Sequence, residues 1–181
     1  NNALVAAVLA KKARKPVKLI NTREEEFLAG CRPRVFMKIN VKMGFKKDGR
    51  IRAKELKVIA DNGAYHIHPL TAALEPPGTA AILPGPYRTP AYAWEALAVA
   101  TNKPPLGAYR GVGMTMGAFV MERTLDLLAA RLGLDPAEIR LRNLIPKGAY
   151  PFTSASGFVY DSGDYPQALA MALELADYEG L

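Results

Sequence analysis

Cysteine is nearly absent from this 181-residue chain: Cys31 stands alone. One cysteine excludes an intrachain disulfide and any metal site built from several thiolates. Histidine is almost as scarce, with His66 and His68 the only two. An H-x-H pair without a third ligand nearby is a weak metal signature. No apolar run approaches the length of a membrane span, and no signal-peptide pattern opens the chain, so a cytoplasmic protein is the default expectation. Arginine-rich helices, zinc-finger spacings and RNA-recognition signatures are also missing, and nucleic acid is not the expected partner. What remains is ordinary for a globular protein: 50% hydrophobic and 23% charged residues, enough for one sizeable core.

The net charge of +7 is placed unevenly. Residues 1–60 hold 16 Lys/Arg against 5 Asp/Glu, whereas residues 61–181 hold 8 against 12. The basic residues alternate with apolar ones, as Lys38, Lys42 and Lys54 do, which reads as a solvated sheet face.

Periodicity organises the chain. Leu4, Val8 and Leu9 with Lys11, Lys12 and Arg14 fit an amphipathic helix with cations at its C-terminal end, stopped by Pro16. Val17 to Asn21 reads as a short strand, and Thr22 with Glu25 or Glu26 as the cap of a brief helical turn. Val35, Met37, Ile39, Val41, Met43 and Phe45 share one strand face, and Lys38, Asn40 and Lys42 the other. Lys47-Asp48-Gly49-Arg50 is a hairpin turn. In the return strand, Ile51 and Ala53 are out of phase with Leu56, Val58 and Ala60, which predicts a bulge near Lys54-Glu55. Residues 66–90 read as a long irregular excursion, of the kind that is usually functional or disordered. Tyr92 to Thr101 is a third strand. Met114, Ala118, Met121, Leu125, Leu128 and Leu132 form a helix stripe, which Val120 and Leu127 widen to two sides. Gly133 ends that helix, and Asp135-Pro136-Ala137-Glu138 caps a short one reaching Asn143. Asp164 and Pro166 start the last, with Leu169, Ala172, Leu173 and Ala176 inward. The expectation is α+β: antiparallel strands in a hairpin with helices packed on one side. A basic, strand-rich lobe of about 1–101 leads to a helical portion of about 107–181.

Gly107-Ala108-Tyr109-Arg110-Gly111-Val112-Gly113 carries the strongest functional signal. Glycine serves where backbone must approach a ligand closely or take positive φ. Backbone donors at the mouth of a helix, beside a fixed cation, suit an anionic or oxo-rich ligand. A plain glycine-rich turn, with Arg110 in a surface ion pair, would satisfy the same spacing.

Neighbouring segments add to it. Gly85-Pro86-Tyr87-Arg88-Thr89-Pro90 and Thr101-Asn102-Lys103-Pro104-Pro105 precede the glycine segment. Thr22-Arg23-Glu24-Glu25-Glu26-Phe27-Leu28-Ala29-Gly30 lies upstream, and Leu141-Arg142-Asn143-Leu144-Ile145 and Asp161-Ser162-Gly163-Asp164-Tyr165 lie downstream. In this order, across nearly the whole chain, they resemble the large, molybdenum-cofactor-binding subunit of the xanthine dehydrogenase/aldehyde oxidase family of molybdenum hydroxylases.

The resemblance implies a molybdopterin cofactor, in plain or cytosine dinucleotide form. It implies hydroxylation of an aldehyde or N-heterocycle with oxygen from water. Electrons would pass to Fe–S and FAD groups on partner subunits, an iron–sulfur subunit and an FAD subunit. It places Ala108, Tyr109, Arg110 and Gly111 at the cofactor, Arg110 as the contact to the molybdenum centre, and Val112 toward a small-molecule substrate. The family's purine oxidases have an aromatic at the position of Val112, and an arginine some thirty residues upstream where Glu75 to Gly78 stand here, so xanthine is not the expected substrate. Its carbon monoxide dehydrogenases have a copper-binding cysteine at the position of Gly111, so carbon monoxide is not expected either. The general-base glutamate and the remaining pterin loops have no counterpart, and Glu24, Glu25 and Glu26 do not replace that base. The chain therefore reads as an internal portion that needs the remainder of the large subunit and is inactive alone. The competing reading is a non-catalytic, free-standing α+β module that binds a partner through its basic face.

Overall fold

A computed structural model describes residues 2–28, 35–65, 74–108 and 110–180. In chain order these form α1 (Asn2–Ala13), α2 (Arg23–Leu28), β1 (Phe36–Phe45), β2 (Ile51–Asp61), α3 (Glu75–Ile82), β3 (Ala91–Val99), α4 (Met114–Leu132), α5 (Pro136–Asn143), β4 (Phe152–Thr153), β5 (Val159–Tyr160) and α6 (Tyr165–Leu175). Cys31, His66, His68 and Tyr109 lie outside the described residues.

The alternation of residues 35–45 gives the expected strand. Met37, Ile39, Val41, Met43 and Phe45 are half-buried, and Lys38, Asn40 and Lys42 are exposed. β1 and β2 pair antiparallel, Ile39 facing Val58 and Val41 facing Leu56. Gly49, at φ +82°, makes the turn between them. The slip between phases sits elsewhere than the sequence suggests. The ladder shifts between Gly44 and Phe45, where Gly44 faces Ala53 and Phe45 faces Ile51, so that Arg52 is the extra residue and not Lys54 or Glu55. Turn geometry fixes this: Lys46 and Arg50 close the hairpin by a backbone bond of 2.9 Å, and the surplus residue is absorbed immediately after it.

One consequence overturns the reading of Lys54 as solvated. With the bulge at Arg52, Lys54 falls in phase with Leu56, Val58 and Ala60 and is 3% exposed. Its Nζ donates to the Pro84 carbonyl at 3.1 Å and lies 3.1 Å from Met121 Sδ. Burial lowers its pKa from 10.5 to about 7, with nearby Glu122 opposing part of the shift. Below pH 7 the folded state must bury a charge; between about pH 7 and 10.5 only the unfolded chain binds the proton, so stability rises with pH across that window. Lys54→Met is expected to stabilise the fold by about 1–4 kcal/mol at pH 6 and to flatten that rise. Urea denaturation of both chains at pH 6 and pH 9 checks it, and an unchanged pH slope would count against the assignment.

β3 completes the sheet in the order β1-β2-β3, but parallel to β2 rather than antiparallel, Leu56 facing Trp94 and Val58 facing Ala96. Parallel pairing demands a crossover, and α3 lies within it. The stretch 66–90 is therefore not wholly irregular. Pro76 and Pro77 fall in the first turn of α3, where a missing N–H costs nothing. Leu56 and Val58 pack with Ala80 and Leu83 of the α3 side, joined by Val120. A second cluster unites Ile51, Tyr87, Met121, Leu125, Leu128, Ile139 and Leu144. The result is an α+β fold with helices on one face of a small mixed sheet.

The remaining elements follow their caps. Thr22 and Glu25 exchange reciprocal bonds, Glu25 N to Thr22 Oγ1 at 3.2 Å and Thr22 N to Glu25 Oε2 at 2.7 Å. Asp135 Oδ1 accepts from Ala137 N and Glu138 N at the start of α5. Asp164 caps α6 through Gln167 N. Gly133 closes α4 at φ +66°.

Three apolar faces are less buried than their patterns suggest. In α4, Gly117, Met121, Leu125, Leu128 and Ala129 are buried, whereas Met114, Ala118 and Leu127 are exposed; the helix is covered on one side, not two. In α6, Leu169 and Leu173 are half-buried, and Ala172 and Ala176 are exposed. No residue of α1 is buried. Val17 to Asn21 forms no strand. It has no partner strand among the described residues, and an unpaired β segment has no ladder to hold it.

Candidate functional site

The glycine segment leaves from the far end of β2 and β3. Thr101 Oγ1 donates to Asp61 Oδ1 at 2.6 Å, and the Lys103 ammonium pairs with the same carboxylate. Lys103, Thr101 and the backbone of Gly63 together lower the Asp61 pKa to about 2. Leu106 N donates to Asn62 O at 3.1 Å. These bonds pin residues 101–106 to the sheet and feed Leu106, Gly107 and Ala108 into the interior, where all three are buried.

Beyond Ala108 the chain comes to the surface and turns back. Arg110 is exposed. Gly111, Val112 and Gly113 follow with φ of +103°, +43° and +82°, and Gly113 is buried at the N-cap of α4. Positive φ is routine for glycine; for a β-branched residue such as Val112 it is an outlier that persists only where the surroundings impose it.

The surroundings are the first turns of α3. Thr79 Oγ1 lies 3.0 Å from the Glu75 carbonyl and 3.2 Å from the Gly113 carbonyl, so one hydroxyl ties helix and bend together. A Cβ added at Gly113 would stand 2.5 Å from Glu75 O, and one at Gly78 would stand 2.9 Å from Val112 O. At Gly117 the added Cβ would meet Thr79 O at 3.0 Å. Backbone thus lies directly on backbone, a contact only glycine permits. The bend leaves Arg110 exposed and Gly111 and Val112 half-buried, over a base made by α3 and the start of α4.

The bend is legible in the sequence and its base is not: Gly78, Thr79 and the buried Glu75 lie in a stretch whose prolines and glycines suggest irregular chain, yet they form α3. The signal was present in Glu75-Pro76-Pro77-Gly78-Thr79-Ala80-Ala81, in which proline is confined to a first turn and small residues follow.

The bend has the form expected of a cradle for an oxo-rich group: a permanent cation at its apex, and glycines flanking it that let backbone come close. Residues 1–144 match the molybdopterin cofactor-binding domain. The chain belongs to that family. Among curated relatives, the nicotine 6-hydroxylase large subunit of Paenarthrobacter nicotinovorans is 34% identical over 97% of the chain, which spans 21% of that protein. The carbon monoxide dehydrogenase large chain of Hydrogenophaga pseudoflava is 35% identical over 97% of the chain and 22% of that protein. Among solved structures, quinoline 2-oxidoreductase from Pseudomonas putida 86 superposes with a TM-score of 0.89 at 37% identity, covering 98% of this chain and 22% of that one. The chain thus spans about a fifth of the length of these relatives. None of its described helices is long and apolar enough to cross a membrane.

Proposed function

We propose that these 181 residues are the part of a molybdenum hydroxylase large subunit that presents Arg110 to the cofactor. The observation that carries this reading is the run of three positive-φ residues after Arg110, clamped onto α3 through Thr79 and Gly78. When bound, the molybdopterin group would supply hydroxylation of a carbon next to nitrogen or oxygen, with water as the oxygen source.

The chain's own part is positioning and electrostatics. Arg110 holds a permanent charge beside developing negative charge on oxygen, and a fixed cation needs no reorganisation during the reaction. Gly111 lets backbone approach the group, and Tyr109 and Ala108 complete the contact stretch. Val112 faces the substrate. Its isopropyl group offers an apolar wall and no ring to stack on a purine. The stretch Glu75–Gly78 is the first turn of α3 and offers no arginine, which further disfavours xanthine. Gly111 offers no thiolate where the carbon monoxide enzymes hold copper, which disfavours copper chemistry of that type. The general base and the other pterin loops would come from the remainder of the large subunit, and the Fe–S and FAD groups from partner subunits. The cofactor would be molybdopterin, in plain or cytosine dinucleotide form, and the assembled enzyme cytoplasmic.

The non-catalytic basic module is less well supported. On the outer sheet face Lys42 pairs with Glu55 at 3.3 Å and Lys57 with Glu95 at 2.7 Å, so two of its cations are already compensated.

The test uses the complete enzyme with an aldehyde and an N-heterocycle in labelled water. Label from water is expected in the product, together with stoichiometric molybdenum by elemental analysis. Label from dioxygen, or an enzyme that turns over without molybdenum, would overturn the proposal.

A further inference from the structure

Opposite the functional bend in sequence, the hairpin turn, the residues before β3 and the end of α5 meet around a groove of about 430 Å³. Its walls carry Lys46, Arg50, Arg52, Arg88 and Arg142, and its floor is Ile51, Pro90 and Asn143. Like charges gathered this way repel one another unless an anion lies among them.

The scaffold under the cations is tightly bonded. Asn143 is buried; its Nδ2 donates to Gly49 O at 2.9 Å and Ile139 O at 2.8 Å, and its Oδ1 accepts from Ile51 N at 2.8 Å. Arg88 N donates to Asn143 O at 2.8 Å. Two cations are already engaged, Arg142 by Glu138 and Arg50 by Asp48. Arg88 Nη2 makes a single bond, to Arg142 O at 3.0 Å. Lys46, Arg52 and Arg88 are exposed and have no carboxylate partner among the described residues.

We infer that this groove docks an acidic segment of a partner polypeptide, with Arg52, Arg88 and Lys46 as the receiving cations. Four of the five cations are arginines, whose planar fork matches a carboxylate in two parallel bonds. No aromatic side chain lines the groove, so it offers nothing to stack a nucleobase. It is partly open to solvent and does not enclose its contents, which suits an extended chain laid across it better than a small molecule that must be engulfed. The relatives' descriptions as large subunits and large chains supply the setting in which such a partner occurs. The inference does not depend on the cofactor reading.

The experiment measures binding of a fluorescent octa-glutamate peptide to the complete large subunit by anisotropy at low salt, with an octa-serine peptide as control. The paired charge reversal Arg52→Glu/Arg88→Glu is compared with Lys12→Glu/Lys38→Glu, which makes the same change in net charge away from the groove. Micromolar binding of the glutamate peptide is expected, weakened at least tenfold by the groove pair and less than threefold by the distant pair. Both pairs alter exposed residues; if the first loses its cooperative melt, Arg52→Gln/Arg88→Gln takes its place. Equal loss with both pairs would reduce the effect to net charge and overturn the proposal, as would failure of the parent chain to bind. If inorganic triphosphate binds more tightly than the peptide and is lost with the same variant, the groove is a phosphate site and the protein-docking assignment is wrong.

Discussion

Replacing Arg110 by alanine is expected to cut turnover of the complete enzyme by about a hundredfold or more while leaving its stability nearly unchanged. The magnitude is that of removing one preorganised electrostatic donor from a reaction that develops charge on oxygen. Stability should hold because Arg110 is exposed at the apex of the bend, and core packing there falls to Ala108 and Gly113 on either side. Arg110→Lys is expected to recover little, since an ammonium cannot reproduce the fork of the guanidinium. Molybdenum content should be measured alongside the rate, because a variant that fails to load cofactor loses activity for a different reason. An alanine variant with full cofactor and parental turnover would make Arg110 an ordinary surface residue and remove the basis of the functional reading.

Gly113→Ala should be the most damaging conservative change at the site, costing roughly 3 kcal/mol or more of stability. Two effects add. Gly113 sits at φ +82°, where an L side chain costs about 1–2 kcal/mol. Its new Cβ would also lie 2.5 Å from Glu75 O and 2.8 Å from Thr79 N, both backbone atoms of α3 that cannot rotate away. The bend must lift off α3, which breaks the Thr79 hydroxyl contact to the Gly113 carbonyl. Gly133→Ala provides the control: φ is similar at +66°, but nothing lies within 4 Å of its added Cβ. It should cost only about 1–2 kcal/mol, the conformational part alone. Denaturant titration of the two variants separates the effects. Equal losses would mean that contact with α3 contributes nothing at Gly113.

The clamped bend explains why a fixed cation needs so many glycines near it. Gly113 at the N-cap of α4, Gly117 within α4 and Gly78 on α3 let two backbones meet, and that contact holds Val112 in a conformation it would not take alone. The strain of the bend is therefore balanced by packing a few residues away, as is usual where a loop is held ready for a ligand. The same region contains the α3 helix that proline and glycine obscure in the sequence.

What the sequence by itself determined is local. Alternation over residues 35–45 specified a half-buried strand and its faces, because a strand's side chains change sides at every residue. Thr22 with Glu25, Asp135 and Asp164 announced helix starts, because each cap satisfies backbone donors within its own turn. The Gly107–Gly113 segment could be singled out because glycine and arginine have few reasons to cluster so closely. Tertiary structure decided what depends on neighbours. The bulge fell at Arg52 because hairpin closure takes precedence over side-chain phase, and Lys54 went inward as a result. β3 ran parallel because α3 carries the chain back across the sheet. Leu127 and the α1 face stayed exposed because an apolar stripe states only that a surface could be covered; whether it is depends on what packs against it. The support of Arg110 belongs to this second group: Thr79 and Gly113 lie 34 residues apart, and only the folded chain brings hydroxyl and carbonyl together.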